Sequence, residues 1–249
     1  TADLNRIPEF VMRIAILGAG RMGSWLAETL GRGHEVLARD TDPGRLAGIP
    51  NVRAAVSGEE VGDFKPELLL NCVPLGFTAE VFRGILPFLP PDCMVSDIAS
   101  VKTGLAGFYA SSGHAFVSTH PMFGPTHANV RNLAGENAVI IEESCVQGKE
   151  FFRTLYRDLG IRVFEESFEG HDRTVAYSLA TPFVSTMVFA ACMKRPDAPG
   201  TTFKKHQEIA RALLGEDDRL LAEILFNPHA VRQIELIGSQ LSYLSHIIA

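Results

Sequence analysis

The run Gly18-Ala19-Gly20-Arg21-Met22-Gly23 limits what this chain can fold into more than any other six residues, because of its neighbours. Before it, Arg13-Ile14-Ala15-Ile16-Leu17 is a compact apolar stretch that reads as a strand. After it, Arg21 to Leu30 places Met22, Leu26 and Leu30 at helical spacing. A G-x-G-x-x-G between strand and helix gives each glycine a job. Gly18 permits the tight turn, Gly20 leaves the backbone bare for a pyrophosphate, and Gly23 lets the helix pack on the strand. Arg21 and Met22 open a helix whose N-terminus offers free N–H groups and partial positive charge to phosphates.

Asp40 follows at the end of the next strand, where a carboxylate accepts the ribose hydroxyls of NAD. Arg39 beside it is a cation that suits the 2′-phosphate of NADP, which Asp40 repels. The pair favours NAD and leaves NADP open. A tight glycine turn beside an unrelated surface Asp is the plain structural alternative.

Downstream, short apolar runs alternate with amphipathic stretches. Strands are expected at His34–Arg39, Val52–Ala55, Leu68–Cys72, Met94–Asp97, Ala115–Ser118, Ala138–Ile141 and Arg162–Phe164. Helices are expected near Thr78–Leu86, Val101–Ala110 and Val146–Leu159. This alternation predicts a parallel sheet covered on both faces. From Glu166 the character changes, and no convincing strand follows. Phe168 to Met193 reads as a helix kinked or interrupted at Pro182. Further helices are expected at Thr202–Leu214, at Glu216–Phe226 behind three acids, and at Pro228–Ile248 behind an Asn227-Pro228 start. The fold class is therefore α/β: a Rossmann-type doubly wound dinucleotide-binding domain over residues 12–165, then a smaller all-helical domain over 166–249. Residues 1–11 are aperiodic and are expected to be an added leader.

Composition narrows the partners. With 23 Lys+Arg against 29 Asp+Glu the net charge is −6, so no broad cationic face exists for nucleic acid or an anionic membrane. No apolar run is expected to reach the length of a membrane span, because Ser185 and Thr186 break the richest stretch. Cys72, Cys93, Cys145 and Cys192 have no disulfide or metal-ligand spacing, and they read as mostly buried thiols of a cytoplasmic protein. A small anionic substrate remains compatible, since it needs only a few placed cations.

Three more segments fall at expected strand ends, where open α/β sheets bind ligands. They are Cys72-Val73-Pro74-Leu75-Gly76, Ser96-Asp97-Ile98-Ala99-Ser100-Val101-Lys102, and Ser118-Thr119-His120-Pro121-Met122-Phe123-Gly124-Pro125. Behind the glycine fingerprint and in this order, they closely resemble the prephenate/arogenate dehydrogenase family of tyrosine biosynthesis. The likeness runs from Met12 through the His171-Asp172 pair and thins over the last 50 residues.

The resemblance implies hydride transfer from carbon 4 of a cyclohexadienol to NAD, deprotonation of the hydroxyl on that carbon, and loss of CO2 as the ring aromatises. It assigns the base to His120, a residue type that titrates near neutrality. Ser100 would hydrogen-bond the same hydroxyl or orient His120, while Val73 and Pro74 would shape the nicotinamide side. A satisfied buried histidine is the plain reading of His120. Lys102 is either a contact to phosphate or substrate carboxylate, or a solvated lysine; Asp97 is expected to support the Ser100 loop. Family members hold the substrate carboxylates with a helical-region Arg, whose place here falls on Ala212, beside Arg211. With Lys102, the residues Lys204, Lys205, His206 and Arg211 are thus the candidate substrate cations, the last four against an ordinary solvated face with Lys204–Glu208 and Glu208–Arg211 pairs. His171 and Asp172 suit a capped helix start, and His127 a rim contact. Phe183 stands where many members carry a second His.

The expected partner is a small dianionic substrate. Apolar helical residues such as Leu236, Leu241, Leu244 and Ile248 point to a homodimer through the helical domain. Rival readings are another two-domain dehydrogenase, such as a 3-hydroxyacid dehydrogenase or imine reductase, and a non-catalytic dinucleotide sensor.

Overall fold

The computed structural model describes residues 11–124, 128–130, 132–194, 196–215 and 218–249. The described chain forms two compact units that meet between Phe168 and Glu169.

The first unit is built on strands β1 (Arg13–Leu17), β2 (Glu35–Arg39), β3 (Val52–Ala54), β4 (Leu68–Asn71), β5 (Met94–Asp97), β6 (Phe116–Pro121), β7 (Asn137–Ile141) and β8 (Arg162–Glu166). They lie in the order β3-β2-β1-β4-β5-β6-β7-β8. Helices α1 (Arg21–Leu30), α2 (Gly58–Asp63), α3 (Leu75–Ile85), α4 (Leu105–Ser112) and α5 (Val146–Asp158) connect them. Strand residues alternate between two cores. Ile14, Ile16, Leu68 and Leu70 pack with Leu26 and Leu30 of α1 and with Phe152 of α5. Ala15, Leu17, Leu69 and Val95 pack with Phe82 of α3 and Tyr109 of α4 on the opposite face. Each such aliphatic side chain contributes about 1.5–3 kcal/mol by burial, which makes both faces cohesive.

Two expectations for this unit are corrected, and one element is added. The sheet is not wholly parallel: β6 pairs antiparallel with β7, and β8 runs parallel to β7. The helix expected from Val101 begins only at Leu105, because Gly104 before it adopts φ +84°. The short helix α2 was not foreseen; Ser57 caps it by accepting the Glu60 N–H. The thiols also differ from expectation. All four are free, but only Cys93 is buried and Cys192 is exposed.

The second unit contains α6 (Phe168–Val175, whose first residue closes the preceding unit), α7 (Thr181–Cys192), α8 (Thr201–Leu214), α9 (Asp218–Leu225) and α10 (Ala230–Ile248). A π turn at Ala176–Ala180 joins α6 to α7. Its wider register lets the chain pass Pro182, which has no N–H to give, so the helix continues where a break was expected. Phe168–Cys192 consequently forms one 25-residue helix with an 18-residue window of mean hydropathy 1.5. By length and composition it could cross a membrane, contrary to the sequence expectation. Ser185, read with Thr186 as an interruption, does not break it: its hydroxyl donates to the Thr181 carbonyl at 2.9 Å, as that of Ser178 does to the Thr174 carbonyl at 2.7 Å. The core of this unit is small, with Ala180, Ile224 and Ala230 packed by Leu179, Phe183 and Leu220. Leu236, Leu241, Leu244 and Ile248 of α10 are exposed.

Candidate active site

The C-terminal ends of β1, β4, β5 and β6 are neighbours in the sheet, so the segments that follow them line one edge. With strands about 4.8 Å apart, the row from β1 to β6 spans about 14 Å. The strand order reverses between β1 and β4, where open α/β sheets form their binding crevice.

At one end lies the glycine turn. Gly18 has φ +90° and donates its N–H to the Arg39 carbonyl at 2.8 Å. A Cβ on Gly23 would stand 1.9 Å from the Gly18 carbonyl oxygen, so only glycine allows α1 to pack here. A Cβ on Gly20 would meet nothing within 4 Å. The space over Gly20 is therefore open, and α1 starts there with no side-chain cap on its N–H groups. Arg21 is exposed and Met22 half-buried. Asp40 clasps the turn: one carboxylate oxygen accepts the Ala19 N–H at 2.6 Å, the other the Asp42 N–H at 2.8 Å. An ionised carboxylate offers about four acceptor sites, so acceptor capacity remains for a ligand hydroxyl. The adjacent Arg39 Nε is buried with no hydrogen-bond partner. Open space over bare backbone, uncapped amides and a carboxylate fixed beside them fit a dinucleotide.

Val73 is half-buried and Pro74 exposed. Asn71, a buried strand residue that the sequence reading passed over, pins this loop. Its amide donates to the Thr78 carbonyl (3.2 Å) and its oxygen accepts the Val73 N–H (3.2 Å). An Asn closing the apolar run Leu68-Leu69-Leu70 was the available signal. Although the residue is partly exposed, desolvation of its enclosed sulfur, with the charge of Asp97 second, raises the Cys72 thiol far above its usual range and keeps it protonated.

At the other end is His120. The first half of β6 pairs with β5 through Phe116, Val117 and Ser118. Thr119, His120 and Pro121 lie beyond the last β5 partner and pair with β7 instead. His120 thus stands where β6 changes partner, 5% exposed. Ser100 is half-buried in the loop after β5.

Between loop and strand lies a sealed polar cluster. Asp97 accepts from the Ala99 N–H (2.9 Å), the Lys102 ammonium (2.5 Å) and the Tyr109 hydroxyl (2.6 Å). The ammonium also donates to the Thr119 carbonyl at 2.7 Å. Both charged side chains are fully buried, which corrects the solvated reading of Lys102 and leaves it turned inward to Asp97, not out to a substrate carboxylate. Tyr109, twelve residues from Asp97 in the sequence, carried no signal there. Burial, then the Asp97 charge, pushes its phenol well up, so it stays a proton donor.

The remaining candidates belong to the second unit. Lys204, Lys205, His206 and Arg211 are exposed on α8, whose buried residues are Ala210 and Leu213. Lys204 and Arg211 are seven residues apart and share a face, while Lys205 is turned by about 100°. His206 Nδ1 donates to the Thr202 carbonyl (3.2 Å), and its ring is 5.4 Å from Phe189. His171 and Asp172 do not cap a helix start, because α6 begins three residues earlier. They are buried within it, Nδ1 of His171 donating to Asp172 at 3.0 Å. Asn227 ties the turn before α10 to α6 through the Asp172 carbonyl at 2.7 Å. His127, the expected rim contact, and Pro125 lie outside the described residues.

Known proteins resemble this chain in sequence and in fold. The family model described as prephenate dehydrogenase, nucleotide-binding domain, matches residues 30–159. A probable arogenate/prephenate dehydrogenase of Methanocaldococcus jannaschii is 23% identical over 260 residues, covering 95% of this chain and 57% of that protein. Chloroplastic arogenate dehydrogenase 2 of Arabidopsis thaliana is 25% identical over 246 residues, covering 90% and 66%. The chain therefore spans roughly three-fifths of the length of these relatives. In fold it is similar to prephenate dehydrogenase from A. aeolicus, solved with hydroxyphenyl propionate and NAD+. That likeness has a TM-score of 0.81 at 22% identity and covers 96% of this chain and 91% of the other.

Proposed function

Because the chain belongs to the prephenate dehydrogenase family, we propose that it binds NAD and oxidatively decarboxylates prephenate to 4-hydroxyphenylpyruvate, a step of aromatic amino acid biosynthesis. The observation that carries this reading is a single sheet edge holding the glycine turn, the Val73–Pro74 loop, Ser100 and His120 in strand order. NAD, when bound, supplies the acceptor for the hydride leaving carbon 4 of the ring. Gly20 and the first amides of α1 hold its pyrophosphate, Asp40 a ribose, and Val73 with Pro74 the nicotinamide side. His120 takes the proton of the hydroxyl on carbon 4, and Ser100 holds that hydroxyl or the imidazole in line. The carboxylate on carbon 1 departs as CO2 when the ring aromatises, so no protein nucleophile is needed. Lys204, Lys205, His206 and Arg211 form the set from which the substrate carboxylates draw their cation.

Arogenate differs from prephenate only in bearing an amino group in place of the side-chain keto group. Relatives of both kinds match the chain, so arogenate is the second reading. Rates for prephenate and arogenate, each with NAD and with NADP, test the proposal; prephenate with NAD is expected to be fastest. A strong NADP preference would move the assignment from Asp40 to Arg39. Dinucleotide binding by thermal shift, with neither substrate turned over, would make the protein a sensor.

The free thiols accord with a cytoplasmic setting. The exposed apolar face of α10 supports a homodimer through the helical unit. Light scattering at micromolar concentration is expected to give twice the chain mass, and a monomer there refutes this.

A further inference from the structure

We infer that Lys102 is a positioning residue for the reaction proposed above: its ammonium fixes the loop carrying Ser100 against the strand end carrying His120. The inference rests on that functional reading but stands on separate observations. Asp97 is the last residue of β5, and Lys102 lies in the loop that runs from there to the start of α4 at Leu105. One carboxylate oxygen of Asp97 gathers two points of this loop, taking the Ala99 N–H at 2.9 Å and the Lys102 ammonium at 2.5 Å. Ser100 lies between those two points.

The same ammonium reaches the next strand. Thr119 is the first residue of β6 beyond the last β5 partner, and its carbonyl accepts from Lys102 at 2.7 Å. That carbonyl belongs to the peptide that leads into His120. Lys102 thus does for Thr119 what a continuing β5 would have done, and leaves the sheet edge open to a ligand. Tyr109 stiffens the arrangement from behind. Its hydroxyl donates to the other Asp97 oxygen, and its ring stacks on Phe116 of β6 at 4.2 Å and 9°.

A buried ion pair is weak as a stabilising device, since apolar residues of similar volume commonly serve stability as well or better. What those residues lack is an ammonium that donates at once to the Asp97 carboxylate and to the Thr119 backbone carbonyl. Catalytic geometry is sensitive at this scale, because misplacement by about 1 Å lowers rates by about a hundredfold.

The double variant Asp97→Asn/Lys102→Met removes both charges without stranding either in the interior. We expect Tm within a few degrees of wild type, and NADH affinity and substrate KM within about threefold, while kcat falls about 30- to 300-fold. Tyr109→Phe removes one hydrogen bond, keeps the ion pair, and is expected to lower kcat about 3- to 10-fold with KM unchanged. With 13C-labelled histidine, the His120 ring resonance, identified by its loss in His120→Asn, should move in both variants while the His229 and His246 signals stay. A kcat within about twofold of wild type together with an unmoved His120 signal overturns the inference. So does a rate loss that merely follows lost NADH binding. If the double variant does not fold, Tyr109→Phe decides alone. If wild type turns over neither prephenate nor arogenate, the functional reading fails while the resonance measurement still decides the positioning role.

Discussion

His120→Asn is expected to lower kcat by about 10²–10⁴ while leaving NADH affinity close to wild type. The size follows from what the variant removes. Asn retains a hydrogen-bonding planar group of smaller volume at a position 5% exposed, so β6 keeps its antiparallel register with Val139. It cannot accept and hold a proton, and general-base assistance is lost outright. Binding is spared because the glycine turn is three strands away, across β5, β4 and β1. The expected pattern is therefore a fall in kcat and kcat/KM together, the signature of an interaction made in the transition state. The fall in rate toward acid pH that a protonating base imposes should also vanish in the variant. A near-wild-type rate would return His120 to the plain reading of a buried packing residue.

How much of this was legible in the sequence depended on how local the physics was. β1, the glycine turn and α1 are set by neighbouring residues, so Arg13–Leu17 and Arg21–Leu30 were readable to the residue. The direction of β7 was not. An apolar run such as Asn137–Ile141 pairs equally well either way, and its antiparallel choice is made by β6, sixteen residues earlier. The length of β6 was misjudged for a related reason. Pro121 looks like a strand breaker, yet Pro is tolerated at a strand's end, and β7 rather than β5 holds the last three residues.

The π turn before Pro182 depends on the whole helix finding a register, which a Pro alone does not disclose. Among site residues, Asp97 was read as a loop support from its motif, and the structure gives the support in detail. Lys102 was undecided because sequence does not report burial, and the fate of an ammonium depends on whether water reaches it. Tyr109 was invisible because its partner is on another element, brought close only by the crossover of α4 over the sheet.

The sharpest test of the dinucleotide cradle is one added methyl group at two glycines three residues apart. Gly23→Ala puts a Cβ 1.9 Å from the Gly18 carbonyl and 3.1 Å from the Cys72 Cβ. The first contact is with backbone, so no rotamer relieves it, and α1 must move off the sheet. Overpacking of this kind costs about 1–3 kcal/mol or more, which for a chain of this size lowers Tm by roughly 2–12 °C. The moved helix also withdraws its amides, so NADH binding is expected to weaken about 30-fold or more, in proportion to the repacking energy. Gly20→Ala adds the same methyl where nothing lies within 4 Å and where the backbone, at φ −69° and ψ −172°, suits alanine. Its Tm is expected to stay within about 1 °C, since no native contact is disturbed. NADH affinity should nevertheless fall about 10- to 100-fold, because the methyl occupies the space a pyrophosphate needs against bare backbone. Calorimetry and NADH fluorescence titration read the two effects separately. Wild-type affinity in Gly20→Ala would mean that the open space over α1 is not where the cofactor lies, and the assignment of Asp40 and of the Val73–Pro74 loop would fall with it.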